Sequence, residues 1–187
     1  MNNPDMQSSK TTVRVWDLFV RIFHWSLVCG IAITWITAFA RGDTHQWLGL
    51  AIGALVTARI FWGFLGSRYA RFSQFIRSPG VSIQYLISIL QNREQRYLGH
   101  NPAGALMIMA LLASITATIA TGWLMTTDAY FGDETMQLSH SICAYGVLSL
   151  AGLHIVGVVL ASRRHQENLV QAMFTGNKRQ AQSTDVE

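Results

Sequence analysis

Charge is what this sequence has least of. Asp, Glu, Lys and Arg make up 13% of its 187 residues, about half the share usual in a soluble domain. Half of the residues are hydrophobic, and they come in long blocks rather than in alternation; that excludes a chain solvated on every side. Cysteine occurs only as Cys29 and Cys143, each inside an apolar block, and there is no CxxC or CxxCH run. A zinc ribbon and covalent c-type haem attachment are therefore excluded, and buried free thiols are expected. The apolar blocks hold no carboxylate, which removes the material for a proton relay. No Ser-His-Asp set or carboxylate pair suggests hydrolysis either. The net charge of +4 would suit nucleic acid only if the basic residues formed a soluble patch. They flank the apolar blocks instead, so nucleic acid is not an expected partner.

What the sequence does have is four stretches of bilayer length. They run from Ile22 to Ala40, from about Trp47 to Leu65, from Ala103 to Met125 and from about Leu138 to Ala161. A helix needs roughly 20 apolar residues to cross the hydrocarbon core. The expected fold is therefore all-α: a single domain over 1–187, forming an integral membrane four-helix bundle. Trp25, Trp47, Trp62 and Trp123 fall near the segment ends, where interfacial anchors are expected. The first segment also has the look of a secretory signal, with an Ala38-Phe39-Ala40 triplet. Its apolar run exceeds the usual h-region of about 7–15 residues, so it is expected to be retained.

Orientation follows from the basic residues. Lys10, Arg14 and Arg21 precede the first span. Arg68, Arg71, Arg77, Arg93 and Arg96 lie between the second and third, and Arg163, Arg164, Lys178 and Arg179 follow the fourth. These twelve face Arg41 alone on the other side, so both termini are expected in the cytoplasm. The opposite loops carry Asp43, Asp128, Asp133 and Glu134, a formal −3 with Arg41. In the long second connection, VSIQYLISILQ after Ser78-Pro79 predicts a short helix lying in the cytoplasmic interface. Asn101-Pro102 reads as a helix cap with a first-turn proline. Residues after Gln180 are expected to form a disordered tail, 180–187.

Metal-binding side chains inside spans are costly and mark function. His24 lies near the cytoplasmic end of the first span and His45 opens the second on the outer side. His140 and His154 share the fourth. Fourteen residues at about 100° each return to within roughly 40°, so His140 and His154 share a face about 21 Å apart in depth. Matched by depth, His24 pairs with His154 and His45 with His140. Imidazole is a standard axial ligand of haem iron, and helix bundles build such sites in their cores. A zinc site would need ligands converging at one level, and these occupy two. Arg59, fourteen residues after His45, falls on a similar face at the inner depth. It either snorkels to the interface or meets a haem propionate. His100 and His165 lie in cytoplasmic segments, where capping and surface hydrogen bonding are the simplest roles; His100 could also face the inner haem or a quinone.

VWDLFVRIFHW around His24, HQWLGL around His45, ARIFWGFLG after Arg59, YLGHNPAGA before the third span, and His140 with His154 resemble the bacterial cytochrome b561 family. That family is related to the b-type cytochrome subunits of nickel–iron hydrogenases. The resemblance covers Val13 to about Arg164 and implies two non-covalent haems b. One would be ligated by His24 and His154, the other by His45 and His140. It also implies exchange with the quinone pool, ubiquinone or menaquinone, and with redox partners in the bacterial inner membrane. One branch oxidises superoxide and reduces ubiquinone. The hydrogenase-subunit branch is the less expected, because the chain looks short for it. The acidic outer loops would repel superoxide and favour a basic partner such as a periplasmic cytochrome c.

Overall fold

The computed structural model describes residues 12–39 and 43–186. Lys10, Ala40 and Arg41, which entered the expectations above, lie outside them. Four helices are long and apolar enough to cross a membrane: α1 (Leu18–Thr37), α2 (Thr44–Leu65), α5 (Pro102–Leu124) and α6 (Glu134–Arg164). Between α2 and α5 come a 3-10 turn (Arg68–Ala70), α3 (Phe72–Phe75) and α4 (Pro79–Leu90). After α6 comes α7 (Leu169–Thr175). A two-stranded antiparallel ribbon pairs β1 (Thr12–Arg14) with β2 (Asn177–Arg179).

Local chemistry sets the helix ends. The Asp17 carboxylate accepts from the Val20 amide (2.8 Å), so α1 starts at Leu18, four residues before the expected span. Asp17 also accepts from Trp62 Nε1 (3.0 Å) and Ser67 Oγ. Burial opposes its ionisation, but the Ser67, Val20 and Trp62 donors outweigh that and hold its pKa below the ordinary carboxylate value. Asn101 caps α5 as expected, accepting from the Gly104 amide (2.7 Å). Asp133 caps α6 through Met136 (2.7 Å).

The bundle is held by Phe23, Ile52, Val56, Leu112, Ile115 and Val147, drawn from all four long helices. Close backbone packing joins α1 to α2, α2 to α5, and α5 to α6. α6 meets α1 and α2 through side chains, as where the Trp35 and Tyr145 rings stand 5.3 Å apart. Cys29 is exposed on the bundle's outer face and Cys143 is half-buried; both are free thiols. The expectation that both thiols are buried in the fold is thus not met, because a membrane bundle can turn apolar side chains outward. Trp47 and Trp123 are exposed as anchors should be. Trp62 instead bonds Asp17, and Trp25 stacks on Phe174 at 4.2 Å.

The C-terminal segment departs from expectation. Beyond Gln180 the chain packs on the α4–α5 connection: Val186 N donates to Arg96 O (2.9 Å), and Leu98 N donates to Val186 O (3.0 Å). The buried Arg96 guanidinium bonds both Glu167 oxygens (2.8 and 3.2 Å) and Asp185 (2.5 Å). Lys178, equally buried, donates to Tyr97 O (3.1 Å) and Leu98 O (2.8 Å) and stands 3.7 Å from Glu167. These side chains form a clasp that ties both chain ends and the long connection together at one end of the bundle. A polar tail has no local pattern that announces such pairing, since its partners come from some eighty residues away.

Burial works against the charged forms of Glu167 and Asp185, but Arg96 and backbone donors win and hold both pKa values below their ordinary 4.5 and 3.8. Depressed carboxylate pKa values contribute stability that is present above the unfolded values and lost as pH falls through the folded ones. The clasp is therefore expected to hold at neutral pH and to release only as pH falls below those ordinary values. Limited proteolysis across an acid series should cut the segment after Thr175 there and leave it intact near neutrality. Uniform cutting at all pH values would show that the carboxylates do not hold it.

Candidate functional site

His45 is the second residue of α2, and His140 lies six residues into α6. The structure brings them together, with ring centroids 6.2 Å apart and planes at 81°. Each Nδ1 is committed to a backbone carbonyl: His45 to Thr34 O (3.0 Å) and His140 to Thr118 O (3.0 Å), with Thr121 Oγ1 at 3.2 Å from the latter. A carbonyl only accepts, so both Nδ1 atoms carry the proton and both Nε2 atoms keep a free lone pair. Thr34 O is one of the end carbonyls of α1, where the Ala38 amide turns to Trp35 O instead. Gly122 on α5 makes the seat for His140; a Cβ there would stand 2.9 Å from the ring's Cε1.

His24 and His154 form the second pair, with centroids 6.4 Å apart and planes at 56°. Around them lie polar atoms that are buried and have no partner: His24 Nδ1, Trp25 Nε1, Arg59 Nη1 and His100 Nδ1. Arg59 is 3% exposed, so it does not snorkel outward. Its Nη2 donates to Ala70 O (3.1 Å), and its guanidinium lies over the Phe72 ring at 5.3 Å. One face of a buried cation thus remains unsatisfied, which is costly unless an acceptor reaches it.

His100 is no surface histidine. Its ring is held between Trp16 (4.5 Å) and Phe75 (4.7 Å). Burial, then the charges of Arg59 and Lys178, drives its pKa down to about 3, so it is neutral. A crevice of about 10 Å³, lined by Tyr69, Gln74, Phe75, Arg77, Tyr97 and Gly99, opens onto it. That is room for a single water. His165 is half-buried, next to the Arg164–Glu94 ion pair (2.8 Å).

Whether these residues fit a haem can be tested on their spacing. With a metal–imidazole bond of about 2 Å and a ring centroid roughly 1.2 Å behind the nitrogen, two rings flanking one metal stand about 6.4 Å apart. Both pairs match. Edge-to-face aromatic packing tolerates similar separations, but it gives no reason to fix both outer Nδ1 protons on carbonyls. Such outer bonds are the way ligating histidines are oriented. Nor does aromatic packing account for the unpartnered Arg59 nitrogen. Among the described residues no three His, Cys, Asp or Glu side chains gather to hold a metal ion; a porphyrin, which supplies four nitrogens of its own, asks the protein for only two ligands. The residues present fit haem. Gly122 and the Thr34 and Thr118 carbonyls were not anticipated, because backbone acceptors and a single glycine among 15 carry no sequence signal.

The prokaryotic cytochrome b561 family profile matches residues 15–176. Among curated proteins, a probable Ni/Fe-hydrogenase B-type cytochrome subunit of Rhodobacter capsulatus is 22% identical over 217 aligned residues, covering 90% of this chain and 82% of that protein. The protein of the same description from Bradyrhizobium diazoefficiens is 19% identical, covering 90% and 87%. No solved structure matches. Four membrane-length helices, two facing histidine pairs and a profile match over most of the chain converge: the chain belongs to the prokaryotic cytochrome b561 family, membrane proteins that carry haem b and transfer electrons.

Proposed function

We propose that this chain holds two haems b, one on His24 and His154 and one on His45 and His140, and relays electrons across the bacterial inner membrane. The relay would join the quinone pool, ubiquinone or menaquinone, to a redox protein on the outer face. The observation that carries this reading is the matched spacing of the two histidine pairs, each pairing α6 with another long helix. When bound, haem b supplies the one-electron chemistry. The chain's own residues fix ligand tautomers, exclude water and tune potential. Arg59 Nη1 is placed to receive a propionate carboxylate at the inner site. Both termini would lie in the cytoplasm, since their end of the bundle carries the basic residues. Purified protein should be red, with a reduced b-type spectrum and two haems per chain by pyridine haemochrome. A colourless protein, or one haem per chain, overturns the reading.

Exposed Asp43, Asp128, Asp133 and Glu134 favour a basic outer partner such as a cytochrome c over superoxide. Stopped-flow reduction by superoxide near the diffusion limit would reverse that order. The relatives' descriptions support a second reading, a haem-bearing membrane subunit of a larger oxidoreductase such as a hydrogenase. The isolated chain should then fail to pass electrons from quinol to cytochrome c while both haems remain reducible by dithionite.

Gly122 gives a local test of the outer site. Gly122→Leu should displace His140 and lower haem content towards one per chain, while Gly122→Ala should shift the potential of one haem alone. Two unchanged potentials in the alanine variant and full haem in the leucine variant would mean that the ring is free to move aside.

A further inference from the structure

Residues 66–93 hold Arg68, Arg71, Arg77 and Arg93 and neither Asp nor Glu. All four arginines are exposed, and among the described residues none makes an ion pair. Arg68 rests on the Tyr69 ring (5.4 Å); Arg71, Arg77 and Arg93 bracket α3 and α4. One face of α4 is turned inward: Ser82 and Tyr85 are buried, and Tyr85 Oη donates to Gln95 O (3.1 Å). Ile83, Leu86, Ile87 and Leu90 sit at i, i+3, i+4 and i+7, forming a single stripe on another face. They are 57%, 43%, 48% and 83% exposed.

A stripe of four large aliphatic side chains does not stay in water. At 12 residues α4 is about 18 Å long, too short to cross a bilayer. An amphipathic helix of this kind, with cations around it, lies in the interface plane. Phe61, Phe64 and Leu65, at the end of the membrane-length α2, are exposed as well. We propose that α4 seats this stripe at the acyl boundary of the leaflet at the basic end of the bundle, while Arg71, Arg77 and Arg93 bind the phosphates of anionic phospholipid. Guanidinium groups match phosphate oxygens two at a time, and the acids beside this segment are already engaged, Asp17 by Ser67 and Trp62 and Glu94 by Arg164. The proposal does not depend on the haem reading.

The full chain is reconstituted in bilayers of phosphatidylcholine mixed with phosphatidylglycerol, re-extracted, and its co-purifying lipid measured by mass spectrometry. Wild type should retain phosphatidylglycerol several-fold over its share of the bilayer. The triple variant R71Q/R77Q/R93Q should lose that enrichment with its thermal melt unchanged. Equal enrichment in both overturns the headgroup assignment. For the stripe, Leu86→Cys in a C29S/C143S background carries an environment-sensitive fluorophore. Quenching by brominated acyl chains is expected; a water-exposed signal, or a shielded signal that bromine leaves unquenched, overturns the seating and points to protein instead.

Discussion

Replacing His140 with alanine is expected to halve the haem content of the purified chain, from about two per polypeptide to about one, and to spare the inner site. The two pairs are independent in geometry. His45 and His140 face each other at one depth, and His24 and His154 lie about 21 Å away along α6. His140→Ala removes one of the two side chains proposed to hold the haem there and leaves the Thr118 carbonyl and Thr121 hydroxyl without their partner. His24→Ala should give the complementary loss, and either change should abolish electron passage from one face of the membrane to the other. Pyridine haemochrome with reductive titration reads both results. Loss of both haems from His140→Ala, or of neither, would contradict the pairing.

Arg96→Ala should be the most destabilising single change away from the histidines. The guanidinium is 5% exposed and bonds Glu167, Asp185 and the Arg179 carbonyl. Removing it leaves two carboxylates facing each other's charge at the edge of the bundle. Breaking a buried ion network by deleting one partner costs about 3 kcal/mol or more, which for a chain of this size is a melting decrease of roughly 6–12 °C. Scanning calorimetry in detergent measures it, and proteolysis should show the C-terminal segment released. Because the clasp grips the connection that ends in His100, the haem proposed on His24 and His154 should also shift in potential while the one proposed on His45 and His140 does not. An unchanged melt would mean that the segment is held by β1–β2 pairing alone.

Much of this protein was readable before any coordinate. A chain short of charge and rich in uninterrupted apolar blocks has one way to satisfy its backbone in lipid, by forming helices. The fourteen-residue interval between His140 and His154 fixed a shared face through helix geometry alone. Arg59 was legible as an expensive residue at the inner depth, but its burial under Ala70 and over Phe72 was not. Snorkelling and inward burial differ only in how the following turn folds back, and that turn is held by contacts the local sequence does not encode. His100 passed for a surface residue because its neighbours Trp16 and Phe75 come from distant parts of the chain.

What the sequence determined by itself is the class, four helices in a membrane with histidines at two depths, because each of those facts rests on spacing along one helix. Tertiary structure decided the rest: which ring nitrogens are left free, that Gly122 makes room for one ring, and that a polar C-terminal segment closes on Arg96. Those depend on atoms brought together from far along the chain, where no periodicity reaches.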